Sequence, residues 1–152
     1  MAHVLYVDLS AKVEHWTKDS AVAVSNDHCR VFLVPGKAKQ RARALIKSLH
    51  GGKSDQYRLL AALVYLVVRE DLHQLAYLVI DKDYAGEQAE ATIKNLLLTL
   101  VRRDKPEITA GHIRFAEVRG SRADTLAKQV YDRKAEPDHV VRYSELEAVL
   151  RG

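Results

Sequence analysis

At 152 residues, 47% of them hydrophobic, the chain is long enough to bury one substantial core and short for two, so residues 1–152 are read as a single domain. Its one cysteine, Cys29, excludes an intrachain disulfide, a thiolate zinc cluster and a CxxC redox pair, and fits a reducing cytoplasm. The net charge of +4 permits a polyanionic partner without requiring one. The opening MAHVLYVDLS lacks a basic-then-apolar signal pattern. The longest apolar run, Leu59 to Val68, is ten residues, against the roughly 18 that suggest a membrane span. A soluble cytoplasmic protein with no membrane segment is the expectation.

In chain order, His3 to Leu9 (HVLYVDL) carries apolar residues on both parities, as a strand covered on both faces does. Ser20 to Ser25 and Cys29 to Val34 are two further strands around an Asn26-Asp27 turn, and Pro35-Gly36 ends the third. These three form an antiparallel meander. From Lys37 to Leu49, Ala38, Ala42, Leu45, Ile46 and Leu49 make one helical stripe, with Lys37, Lys39, Arg41, Arg43 and Lys47 around the rest of the circumference. After the His50-Gly51-Gly52 break, Asp55 to Arg69 is a helix whose middle is apolar all round, hence largely buried. Leu75 to Ile80 is a fourth strand, Gly86 to Arg102 a helix, His112 to Val118 a fifth strand and Ser121 to Arg133 another helix. A terminal helix, Ser144 to Leu150, opens on a Ser-x-x-Glu capping box at Ser144 and Glu147. Asp138 to Arg142 fits no element. The order β-β-β-α-α-β-α-β-α predicts an α/β domain with a mixed sheet and helices on both faces.

Four acids from distant stretches fall at comparable element ends. Asp8 is near the end of the first strand, Asp81 at the end of the fourth, Glu117 near the end of the fifth, and Asp124 in the first turn of the helix that follows. If the first, fourth and fifth strands run parallel and adjacent, these ends share one edge, the usual place for ligands in open α/β sheets. Clustered carboxylates repel one another unless a cation joins them, and all-oxygen ligands favour Mg²⁺ or Mn²⁺. The chemistry implied is phosphoryl transfer or phosphodiester hydrolysis. Each acid also has a structural reading. Asp124 can cap its helix with Ser121, Glu117 can be a satisfied strand-end acid, and Asp83 can start the helix after the fourth strand while Asp81 faces the metal edge. Asp8 is the hardest to dismiss, because an acid within VLYVDL costs desolvation unless something pairs with it.

The order of elements, with Asp8, Asp81 and Asp124 in place, resembles the ribonuclease H-like superfamily over nearly the whole chain. The stretch FAEVRGSRADTLAKQV (Phe115 to Val130), with its Ala123-Asp124-Thr125-Leu126-Ala127 core, is similar to the end of a family of small uncharacterised ribonuclease H-like proteins. The resemblance implies a ribonuclease H-like sheet with the first strand central. It also implies a divalent-metal-dependent nuclease, with Asp8, Asp81, Glu117 and Asp124 as catalytic metal ligands for Mg²⁺ or Mn²⁺. Two departures stand out. The small family begins with Asp-Glu-Ser-Gly where this chain has Asp8-Leu9-Ser10-Ala11, and ribonuclease H takes a glutamate from its first helix, where Ala38 to Leu49 has none.

The basic helix offers Lys37, Lys39, Arg41, Arg43 and Lys47 to a nucleic-acid backbone, or simply to solvent. His50 to Asp55 (HGGKSD) lacks the first glycine of a phosphate loop, which would fall at Lys47, and the seven histidines show no metal-binding spacing. Two classes therefore stand: a metal-dependent nuclease, and a non-catalytic ribonuclease H-like module that binds nucleic acid or protein. A sugar-kinase-like ATPase is disfavoured, because no glycine-rich turn follows Asp8. Oligomeric state is open, with a homodimer allowed.

Overall fold

A computed structural model describes residues 3–10, 13–26, 28–52, 54–82, 87–117 and 122–152. The strands are β1 (His3–Ser10), β2 (Ser20–Ser25), β3 (Cys29–Val34), β4 (Leu75–Asp81), β5 (Ile113–Ala116) and β6 (His139–Val140). The helices are α1 (Gly36–His50), α2 (Asp55–Val68), α3 (Glu87–Val101), α4 (Arg122–Tyr131) and α5 (Tyr143–Arg151), with short 3-10 turns at Arg69–Gln74 and Ala110–His112. One mixed sheet runs β5-β4-β1-β2-β3-β6. β1 pairs antiparallel with β2 and β2 with β3, as a meander requires, whereas β4 lies parallel to β1 and β5 parallel to β4. β1 is therefore central, and β1, β4 and β5 point the same way.

Alternation along the strands divides the core in two. Leu5, Val7, Val22, Val24, Leu78, Ile80 and Ile113 face a large cluster built from α1, α2, α3 and α5, in which the middle of α2 is buried all round. The opposite parity puts Ala21, Ala23 and Val31 against Ala127 and Val130 of α4. Small alanines on β2 let that single helix sit close. Helices thus cover both faces, but unequally: α4 packs across β1, β2 and β3.

Where structure and sequence part, the reasons are local. Residues 138–142, unplaced by pattern, contain the two-residue edge strand β6, which is anchored where Asp138 and Val31 bond reciprocally. The Val31 N–H donates to the Asp138 carboxylate (2.7 Å) and the Asp138 N–H to the Val31 carbonyl (2.8 Å). The last helix starts at Tyr143, so the expected Ser144–Glu147 box is not its cap. Glu145 takes that role, accepting the Arg142 N–H at 2.9 Å and meeting His139 Nε2 at 2.8 Å. β5 is shorter than predicted, ending at Ala116, which leaves Glu117 outside it. Gly36 opens α1 where a Cβ would meet the Thr17 carbonyl oxygen at 2.8 Å, so only glycine lets the helix start against the β1–β2 loop. No helix among the described residues is long and apolar enough to cross a membrane.

Candidate functional site

Strand register, not proximity in sequence, assembles the site. Val7 pairs with Ile80 across β1 and β4, so one residue further along both chains Asp8 and Asp81 stand side by side. Both have the parity opposite to the large core. Asp8 pairs with Ala23 of the α4 cluster on its other side, and Asp81 pairs with Ala116 on β5. Two carboxylates on adjacent parallel strands therefore share one row and one face at the carboxyl ends of those strands, where α/β sheets hold ligands. Asp8 is only 3% exposed and Asp81 is half-buried, so the row runs from the interior towards solvent.

The other two acids stand differently. Glu117 is exposed, lies one residue past β5 and has the parity of Phe115, which packs on the large core. The residue level with Asp81 on β5 is Ala116, so the structure does not bring Glu117 into the row. α4, the helix that carries Asp124, covers the face from which Asp8 projects; the Asp124 side chain lies outside the described residues, as does Asp83. Among the described residues no group of three or more His, Cys, Asp or Glu is assembled to hold a metal. The described residues bring together two carboxylates, oxygen groups of the kind that hard divalent cations take.

The basic helix is largely spoken for. Lys39, expected on the solvent side, is 0% exposed: its ammonium donates to the His15 carbonyl and to Ser20 Oγ, both at 2.9 Å, and pins α1 to the start of β2. Burial pushes its pKa down to about 8, against an upward pull from Asp19 and Glu14. It is no phosphate contact. A signal for this was present, since Lys39 stands three residues before Ala42 and seven before Ile46, on the apolar stripe itself. Arg41 lies 4.0 Å over the Tyr143 ring. Arg43 lies 4.6 Å over Trp16 and its Nε donates to Asp55 at 2.9 Å. Those two guanidiniums tie α1 to α5, to α2 and to the β1–β2 loop. Lys37 and Lys47 are exposed, as is Arg41 despite its ring contact.

What the sequence did not flag is the rest of the acid face. Counting back from the acid row, the next row is Tyr6–Val79–Arg114, and the one before it is Val4–Tyr77. Tyr6 and Tyr77 are 41% and 39% exposed. The Arg114 guanidinium lies 3.9 Å from the Tyr77 ring centre, and the His112 ring centre is 6.5 Å from that of Tyr77. Strand parity with Asp8 and Asp81 was the available clue. In comparisons with known proteins, no family model, no curated protein and no solved structure matches this chain.

Proposed function

We propose that the chain is a divalent-metal-dependent nuclease, or a related phosphodiester-cleaving enzyme, built on a ribonuclease H-like sheet. The observation that carries this is the Asp8–Asp81 row on adjacent parallel strands. The sheet order supports it, with β1 central and β4 and β5 parallel beside it, as the ribonuclease H-like resemblance implies. Asp8 and Asp81 hold Mg²⁺ or Mn²⁺, and Asp124, carried by the helix that covers the same face, is the third carboxylate in this assignment. A bound cation of this kind activates water and offsets the charge that develops on phosphate oxygens. Strand pairing on both sides fixes the backbone that carries the buried Asp8, and Asp81, half-buried at a strand end, keeps the row open to a substrate phosphate. Of the basic helix, the exposed Lys37 and Lys47 are left to meet a nucleic-acid backbone, a salt-sensitive and sequence-independent contact.

Incubation of labelled single-stranded and duplex DNA and RNA with Mg²⁺, Mn²⁺ or EDTA tests the activity. Metal-dependent cleavage that drops to the EDTA level in Asp8→Asn and Asp81→Asn is the expected result. The absence of Glu117 from the row and the lack of a glutamate in α1 favour a second reading, a non-catalytic ribonuclease H-like nucleic-acid or protein interaction module. Binding of an oligonucleotide without cleavage in either metal would select it.

A further inference from the structure

Only five large hydrophobic side chains among the described residues are strongly exposed, and two of them, Tyr6 and Tyr77, stand on neighbouring strands of the acid face. Rows on one face of a sheet are about 7 Å apart along the strand, so Tyr6 lies one row and Tyr77 two rows from Asp8 and Asp81. Val79, half-buried, sits level with Tyr6 and separates the two rings along β4. α4 packs against β1, β2 and β3 but leaves Tyr6 of β1 exposed, and Arg114 and Ala116 of β5 are exposed on the same face. Arg114 has no carboxylate within ion-pair distance among the described residues, and its one recorded contact is the face of Tyr77. Apart from the acid row, Val4, Tyr6, Tyr77, Val79, Arg114 and Ala116 include no negative charge.

We propose that this open part of the sheet is a stacking platform for single-stranded nucleic acid, seating successive bases on Tyr6 and Tyr77 and delivering the backbone to the Asp8–Asp81 row. It rests on the nuclease reading and names that enzyme's substrate as unpaired. Aromatic rings exposed on a sheet bind bases through their π-faces whatever the sequence, and a duplex has no free base faces to offer. Arg114 supplies the charge that matches a phosphate or stacks on a further base. Arg114 alone would serve a partner protein's carboxylate equally well; what favours nucleic acid is continuity with the Asp8–Asp81 row, whose cation on the nuclease reading meets a phosphate backbone.

The test is anisotropy of fluorescein-labelled 12-nucleotide oligo(dT) and oligo(U), in EDTA so that nothing is cleaved, with wild type, Tyr6→Ala, Tyr77→Ala and Tyr77→Phe. Far-UV circular dichroism checks that each variant is folded. Each alanine variant is expected to bind roughly 5- to 150-fold more weakly, the loss of one stacked base, while Tyr77→Phe keeps wild-type affinity. The same oligo(dT) annealed to its complement should bind much more weakly than the single strand. Unchanged affinity in both alanine variants overturns the platform, as does a duplex bound as tightly as the single strand. So does a wild-type dimer in sedimentation that the tyrosine substitutions split without touching oligonucleotide binding, since the face then belongs to a second copy. The two readings separate cleanly. Tyrosine-dependent binding with no cleavage in metal sinks the nuclease and leaves the platform, whereas metal-dependent cleavage indifferent to both tyrosines does the reverse.

Discussion

Lys39 has no solvent exposure, and its two hydrogen bonds, to His15 and Ser20, do not restore what water supplied to the ammonium. With a folded pKa of about 8 against an ordinary 10.5, the folded and unfolded states both carry the proton below pH 8. Between about 8 and 10.5 the unfolded chain binds it and the folded one does not, so stability rises with pH across that window. Urea unfolding of wild type and Lys39→Met from pH 7 to 10 should show wild type gaining on the variant above pH 8, by about 2 kcal/mol at pH 10. A difference that stays flat with pH contradicts the assignment. The same residue marks what could be read in advance. Asp8 and Asp81 were legible because strand parity is a local property and an acid at the end of an apolar run stands out. Lys39 was misplaced because charge was allowed to outweigh its position on the stripe. Glu117 was misplaced because β5 stops one residue before it, a boundary that composition did not mark.

Elements with strong periodicity emerged as the pattern predicted: the three-strand meander, the all-round apolar α2 and the amphipathic α1. The failures lie at the C-terminal end, where structure is decided by single hydrogen bonds. β6 is two residues long and is anchored where an edge amide of β3 meets Asp138. α5 begins one residue before its apparent cap, Ser144, because Glu145 reaches both the Arg142 N–H and His139. Burial raises the Glu145 carboxyl, but those two hydrogen bonds and the nearby charges of His139 and Arg142 outweigh it and hold the pKa below the usual carboxylate range. A lowered folded pKa gives stability that is full above the unfolded value and is lost as pH falls through the folded one. Glu145→Gln, which removes the charge and can keep the cap, should therefore cost about 0.5 to 1 kcal/mol at pH 7, the scale of a carboxylate at a helix N-terminus, with the gap to wild type closing as the pH is taken down towards 3. Denaturant melts of the pair across that range decide it, and a gap that survives at pH 3 puts the contribution of Glu145 in packing instead of charge.

At the scale of the molecule, one topological fact creates the acid row. The crossovers that carry the chain from β3 through α1 and α2 to β4, and from β4 through α3 to β5, lay both later strands parallel beside β1. Residues 73 positions apart in the chain, Asp8 and Asp81, thereby become lateral neighbours. The alternation of strands and helices made that arrangement inferable. The open face was not inferable, because it depends on where α4 lands, over β1, β2 and β3, and no local pattern records which strands a helix will cover. The central claim, that the Asp8–Asp81 row is a divalent-cation site, is tested most directly by calorimetric titration of Mn²⁺ into wild type, Asp8→Asn, Asp81→Asn and Glu117→Gln. Saturable binding in wild type and Glu117→Gln, abolished in each aspartate variant, is the result predicted. Heats that are the same in all four proteins, or no binding to wild type at millimolar Mn²⁺, would contradict it.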